Sequence, residues 1–198
     1  MNTRTRLLTA AVPLVLALGL AGCAGAADGD MAGMDHGANT PAATAAGAKG
    51  ADVMFAAMMI PHHEQAVEMA DLVLAKDDVD PRVRAIAERV QAAQGPEIAR
   101  MQGWLDVWGV DEQAPSSGMD HGAGMMTEDD MTALADADGA TAGVLFLEQM
   151  VAHHQGAVVM AEEALDSASD ADVLELARQV IADQTAEIDE MQQLAAQL

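Results

Sequence analysis

Two adjacent histidines stand among methionines at two places in the chain. The first pair, His62 and His63, lies in the stretch MMIPHHEQAVEMA, and the second pair, His153 and His154, lies in MVAHHQGAVVMA. Imidazole and thioether groups bind soft metal ions, and this ligand set without thiolate suits Cu(I), with Ag(I) as its analogue. Thioethers do not titrate, so such a site releases few protons when it takes up the metal.

Each histidine pair lies on a stripe of apolar residues that recur every three or four positions, which is the spacing of one helix face. His62 and His153 share this stripe with Met59 and Met150 and are expected to point into a bundle. The next histidine in each pair lies about 100° further round its helix, toward a neighbouring helix. The second helix of each hairpin is expected to place polar and thioether side chains opposite these histidines: Gln94, Glu97 and Met101 in the first, and Gln184, Glu187 and Met191 in the second. Each hairpin would then supply its own imidazoles, carboxylate, carboxamide and thioethers.

Two interpretations of these polar stripes remain open at this point. An unpaired buried polar group costs about 1–3 kcal/mol, so the histidines must meet either polar partners or a metal ion. Histidine–glutamate pairs alone could fix the register of the helices. The polar set recurs in both copies whereas Pro61 and Gly95 do not, and methionine flanks every histidine, which favours the metal.

Two further histidines lie in low-complexity segments, MAGMDHG and GMDHGAGMM. Chance clustering in a sequence rich in Ala, Gly and Met is one explanation. We favour weaker, secondary copper-collecting arms. Their candidate ligands are Met31, Met34, His36, Met119, His121, Met125 and Met126.

The two histidine stretches belong to an internal duplication. Aligning Phe55 with Phe146 brings the histidines and the surrounding methionines into register. The duplication predicts an all-α fold, a four-helix bundle built from two helical hairpins. The domain divides into repeat one, a crossover and repeat two, over residues 52–109, 110–140 and 141–198.

The long helices are expected over about 52–76, 81–108, 141–167 and 170–197. Pro61 predicts a kink or a later start of the first helix, and Gly95–Pro96 predicts an interruption of the second, because proline lacks the backbone donor. A short helix is expected to begin at Thr127, where Asp130 completes a capping arrangement.

The first residues have the features of a secretory signal with a lipobox. Arg4 and Arg6 precede an apolar run that ends in Leu-Ala-Gly-Cys at Cys23, the only cysteine. We expect residues 1–22 to be a lipoprotein signal peptide and Cys23 to carry the lipid. Residues 23–51, rich in Ala and Gly, are expected to form a flexible, disordered tether. The protein is then anchored on the outer face of the bacterial cytoplasmic membrane or lies in the periplasm or cell envelope.

The net charge of the chain restricts its partners. With 32 acidic against 9 basic residues the formal charge is −23, which excludes nucleic acid as a partner and attracts cations. Methionine is the compositional outlier, at 15 residues against two Phe, two Trp and no Tyr. Flexible core filling explains some of these methionines, but not those in the polar segments.

The repeated HH with flanking Met, followed in each copy by Gln-x-x-Glu-Ile-x-x-Met, resembles the family catalogued as domain of unknown function 305. The resemblance extends from about Asp52 to Met191, and it implies an exported, ferritin-like four-helix domain linked to copper binding and copper tolerance. The residues that the resemblance carries over as metal ligands are Met59, His62, His63, Met69, Glu97, Met101, Met150, His153, His154, Met160, Glu187 and Met191.

The function expected from the sequence is a copper-binding lipoprotein that sequesters the ion, confers tolerance or delivers it to a copper-handling partner protein. Copper, with Cu(I) favoured over other soft or borderline metals, is the expected ligand, and catalysis is not expected. One alternative is a ferritin-like redox enzyme, against which the missing Glu-x-x-His motif counts. Another is a structural surface lipoprotein whose His–Glu pairs hold no metal.

Overall fold

Two helical hairpins make up most of the computed structural model, which describes residues 40–110 and 124–198, with side chains from residue 50 onward. The long helices are α1 (Thr40–Leu74), α2 (Pro81–Trp108), α4 (Gly139–Ser167) and α5 (Ala171–Ala195), and the short α3 is Glu128–Asp136. No β-strand occurs within these ranges. The fold is therefore the all-α bundle that the sequence predicts. Several predictions fall outside the described residues: the signal peptide, most of the tether, and Cys23, Met31, Met34, His36, Met119 and His121.

Helix starts follow the capping signals in the sequence. Asp80 caps α2 and Pro81 occupies its first turn, while Asp170 caps α5. Thr127 and Asp130 form a complete capping box at α3, as predicted: Oγ1 of Thr127 accepts from the Asp130 backbone, and the Asp130 carboxylate accepts from the Thr127 backbone.

Two expectations about the first hairpin are wrong. Helix α1 begins at Thr40 rather than near Asp52, so it takes up the last part of the expected tether. The Ala-rich run there has high helix propensity, which outweighs its low content of large apolar residues. Helix α2 continues without the interruption expected at Gly95–Pro96. Helix α1 continues through Pro61, so it does not begin later as one of the two Pro61 expectations had it. Ile60 and His62, on either side of Pro61, are fully buried, and this packing holds the helix against the cost of about 3 kcal/mol that an internal proline imposes.

The core consists of two apolar clusters, each containing one of the two phenylalanines. The Phe55 cluster takes residues 55–60 of α1 and 157–164 of α4, whereas the Phe146 cluster takes residues 66–73 of α1 and 142–150 of α4. The order of the clusters along α1 is reversed along α4, so these two central helices run antiparallel.

A layer of polar residues lies between the two apolar clusters. It is contributed by all four long helices, because each of them passes from one cluster to the other. This polar layer consists of His62, His63, Gln94, Glu97, His153, His154, Gln184 and Glu187.

Two contacts join the hairpins at their ends. The first residue of α4, Gly139, lies against the α1–α2 turn so closely that a Cβ there would fall 1.7 Å from the Asp77 carbonyl oxygen. At the other end the Asp52 carboxylate accepts hydrogen bonds from Ser169 N at 2.8 Å, Ser169 Oγ at 3.1 Å and Asp170 N at 3.0 Å. These contacts fix the relative positions of α1 and α4, and hence of their histidines. None of the helices in the described ranges combines the length and the apolar character needed to cross a membrane.

Candidate metal centre

The two inward-facing histidines meet at the middle of the bundle. The ring centroids of His62 and His153 are 3.8 Å apart, with the planes inclined by 38°, and both side chains are fully buried. Neither ring nitrogen of His153 makes a hydrogen bond of good geometry within the described residues. A buried polar atom without such a bond is uncommon in native proteins and costs about 1–3 kcal/mol.

The second histidine of each pair contacts a glutamate of its own hairpin. Nε2 of His63 lies 2.7 Å from Oε2 of Glu97, and Nε2 of His154 lies 2.7 Å from Oε2 of Glu187. A carboxylate only accepts, so the imidazoles donate through Nε2. In the neutral ring the lone pair then remains on Nδ1, and both Nδ1 atoms are buried without a hydrogen-bond partner in the described part of the chain.

Burial also sets the charge of His153. Desolvation lowers its pKa well below the ordinary value of 6.5, the neighbouring imidazoles of His62, His154 and His63 lower it further, and the nearby His62 backbone offsets this only in part. His153 is therefore neutral at pH 7, which is the form in which histidine binds metal ions.

Each apolar cluster contains methionines from both hairpins, contrary to the expectation that each hairpin supplies its own donors. Met69 of the first repeat is buried in the Phe146 cluster, where the other two buried methionines, Met150 and Met191, belong to the second. Buried Met59 and Met101 lie in the Phe55 cluster, against which Met160 of the second repeat packs. The exchange follows from the antiparallel α1–α4 contact, because residues after the histidines on one helix meet residues before them on the other.

The end of the crossover forms a strap over α1 and α4, made of Gly124, Met125 and Met126. Gln65 binds the Met126 backbone twice: Nε2 donates to the carbonyl at 2.9 Å and Oε1 accepts from the amide at 2.7 Å. At Gly124, which has φ +91°, a Cβ would lie 2.7 Å from the Ala152 carbonyl oxygen. The Met126 side chain is half-buried against the Phe146 cluster, so one of the secondary candidate ligands lies beside the core methionines.

The strap lies on the side of α1 away from α2. Gln65 is two residues beyond His63 and therefore about 200° round the helix from the residue that contacts Glu97. Nothing in the local sequence pattern distinguishes Gln65 as a clamp, and its counterpart in the second repeat is Gly156, so comparing the two repeats gives no signal for it.

Carboxylates do not gather in the manner of a di-iron site. Within the described ranges, no three side chains of His, Cys, Asp or Glu are placed so that they could hold a metal ion together. Any ion in this centre must therefore draw on thioethers or carboxamides as well, or on a rearrangement of the imidazoles.

Two helical hairpins that meet on a buried histidine layer define an all-α protein with a candidate metal centre. The chain belongs to the family described as domain of unknown function DUF305, whose profile matches residues 52–195. The family resemblance is thus confirmed. A comparison with curated proteins gives no match.

Solved structures of similar proteins have the same fold. A DUF305 protein of Streptomyces coelicolor, inferred to be secreted, is 33% identical with a TM-score of 0.68, covering 74% of this chain and 93% of that one. A DUF305 fragment from Deinococcus radiodurans is 31% identical with a TM-score of 0.66, covering 75% and 97%. CopM in its Cu(II)-bound form is 32% identical with a TM-score of 0.63, covering 74% and 96%. CopM has also been solved in Cu(I)-bound and Ag-bound forms.

Proposed function

We propose that this protein binds copper, with Cu(I) preferred, at the polar layer between its two apolar clusters. The observation that carries the proposal is His153, a fully buried and neutral imidazole that lacks hydrogen bonds of good geometry in the described structure. A native core tolerates this arrangement at a cost, and coordination would offset that cost. The related CopM, crystallised with Cu(I), Cu(II) and Ag, supports the choice of metal.

The residues divide into ligands and residues that orient them. His153 and the Nδ1 atoms of His63 and His154 offer lone pairs inside the layer, next to clusters that carry buried thioethers. Glu97 and Glu187 act as hydrogen-bond acceptors that fix the outer imidazoles, as carboxylates do behind metal-bound histidines. The thioethers favour Cu(I) over Cu(II), because soft donors bind the softer ion better.

We propose further that the protein is exported and anchored by lipid at Cys23. The leader with its lipobox supports this location, and so does a relative inferred to be secreted. A copper-binding protein in the cell envelope would sequester copper, confer tolerance or pass the ion to a partner. The histidine and methionine arms around His36 and His121 would collect ions for the buried centre.

We propose no catalytic turnover. The cleft that reaches the polar layer encloses about 30 Å³, close to the volume of one water molecule and far below that of a pocket for an organic substrate. An ion fits such a space and a larger reactant does not. This supports storage or transfer of the ion over chemistry on an organic substrate.

An anaerobic Cu(I) titration against a chromophoric chelator tests the proposal. The full chain should show a tight class of sites and a weaker class. His62→Leu combined with His153→Leu should remove the tight class, whereas Gln149→Leu, which alters a carboxamide outside the layer with a buried Oε1, should keep it. If the double variant retains the tight class, the histidine layer does not bind the copper.

A further inference from the structure

The helices α2 and α5 leave a narrow cleft between them at the level of the polar layer. Its lining includes Gln94, Glu97, Gln184 and Glu187, together with Asp183 on the α5 side. The two glutamates are about one-fifth exposed, while the two glutamines are only 2% and 4% exposed. The cleft therefore passes from carboxylates near solvent to carboxamides that are almost fully buried.

The carboxamide oxygens in this cleft are unsatisfied. Oε1 of Gln94 and Oε1 of Gln184 are both buried without a hydrogen-bond partner within the described residues. An apolar residue at either position would avoid the cost of such an orphaned acceptor. Gln94 and Gln184, one from each hairpin, line a space that can hold a single ion or water molecule.

The cleft also connects directly with the histidines. Glu97 and Glu187 line it, and each is one 2.7 Å hydrogen bond from an outer imidazole. A cation held by the cleft oxygens would reach an imidazole lone pair once a single His–Glu bond opens and the ring turns its Nδ1 toward the cleft. The chain's charge of −23 draws cations to such a mouth.

The opposite side of the layer is closed more firmly. There the strap is held by two hydrogen bonds between Gln65 and the Met126 backbone, and by the close approach of Gly124 to the backbone of α4. Passage on that side would require both contacts to break.

We propose that the α2–α5 cleft is the access port of the metal centre and contains an outer cation site, in which Gln94 and Gln184 are the inner ligands. The inference rests on the proposed copper binding. An incoming ion exchanges water for carboxylate and carboxamide oxygens in the cleft and then moves to the imidazoles. The outer oxygens lower the barrier to desolvation, so they govern the rates of uptake and release rather than the final affinity.

Stopped-flow transfer of Cu(I) between the full-length protein and a chromophoric chelator, under anaerobic conditions, tests the port. Gln94→Leu combined with Gln184→Leu keeps the side-chain volume similar and removes both oxygens. Uptake and release should each slow about tenfold, the equivalent of 1.36 kcal/mol in the barrier, and the dissociation constant should stay within about twofold. The matched control is Gln149→Leu, which removes another buried, unpartnered carboxamide oxygen on the far side of α4 and should leave both rates unchanged.

Each of the other outcomes would overturn the proposal that the α2–α5 cleft is the access port. If the double variant has unchanged rates and Gln65→Leu speeds both, the ion passes under the strap. If the double variant only speeds release and weakens affinity, the carboxamides are ligands of the final site. Should the double variant not fold, Gln94→Leu alone carries the same test with a smaller expected slowing. A wild-type protein that takes up no Cu(I) refutes the proposed function itself, which is a different result from normal uptake at unchanged rates.

Discussion

Replacing His153 by leucine should show separately how much the buried histidine destabilises the metal-free protein and how much it contributes to copper binding. The substitution removes two buried ring nitrogens that lack good hydrogen bonds and puts an apolar side chain of similar size between the two core clusters. Removing the two ring nitrogens without hydrogen bonds should raise the free energy of unfolding by about 1–3 kcal/mol. Imperfect packing of leucine should lower it again by up to about 1.5 kcal/mol. The metal-free variant should therefore be about 1 kcal/mol more stable than wild type, equivalent to an increase in Tm of about 2–4 °C.

The same variant should lose most of the stabilisation by copper. A ligand that binds only the folded state stabilises it by about 2.7 kcal/mol at a hundredfold excess over its dissociation constant. Wild type should show a gain of this size in urea unfolding with Cu(I) under reducing, anaerobic conditions, whereas His153→Leu should gain far less. A variant that is less stable without metal and gains as much from copper as wild type would refute the reasoning, since His153 would then be a structural residue.

The acid limb of the stability curve gives a second readout of His153. Its folded-state pKa lies below the unfolded value near 6.5, so below that pH the unfolded chain binds more protons than the folded one. This contribution to stability is complete above pH 6.5 and is lost as the pH falls, with a slope of up to about 1.4 kcal/mol per pH unit. Metal-free His153→Leu should show a shallower loss between pH 6.5 and 5 than wild type, and equal slopes would contradict the burial of a neutral imidazole.

Three further changes test the frame around the centre. Gly139→Ala should destabilise the protein by about 3 kcal/mol or more in urea unfolding, because the new Cβ would overlap the Asp77 carbonyl. The control Gly103→Ala, with open space around it, should add about 1 kcal/mol of helix stability. Similar effects of the two substitutions would contradict the packing of α4. Asp52→Ala should cost about 1–3 kcal/mol, since it strands two backbone N–H groups at the α4–α5 turn, and an unchanged urea midpoint would show that the anchor is unimportant. Deleting residues 24–39 should lower the number of Cu(I) ions bound in chelator competition while the tightest class remains, and loss of that class would place the primary site in the arm.

The sequence predicts the helices well where local chemistry decides their ends. Thr127 caps α3 as expected, and Asp80 and Asp170 cap α2 and α5 near their predicted starts, because a side-chain oxygen satisfies nearby backbone donors whatever the rest of the fold does. The interruption expected at Gly95–Pro96 is absent because tertiary packing outweighs a local penalty that the sequence alone cannot weigh.

In the candidate site, too, contacts within one hairpin could be predicted from the sequence, whereas contacts between the hairpins could not. The contacts of His63 with Glu97 and of His154 with Glu187 follow from helix periodicity and the duplication, since both partners lie within one hairpin. The His62–His153 contact and the exchange of methionines depend on how α1 and α4 cross. Periodicity gives the inward face of each helix but not the direction or the register of its neighbour.

The strap and the clamp at Gln65 could not be predicted from pattern. They depend on a close approach between a turn and two helices, and the only sign of it in the sequence is Gly124, which lies in a glycine-rich stretch. Such contacts follow from the fold as a whole, whereas the histidine pairs stand out before any fold is known.

Copper K-edge X-ray absorption on the Cu(I)-loaded protein tests the central claim most directly. The chain should carry His36→Ala and His121→Ala, so that the only imidazoles left are those of the polar layer. We predict imidazole nitrogen together with thioether sulfur in the first shell of the tightly bound ion, and loss of nitrogen scattering on adding His153→Leu. A first shell without imidazole, or one that His153→Leu leaves unchanged, would contradict the claim that the buried histidine layer is the copper site.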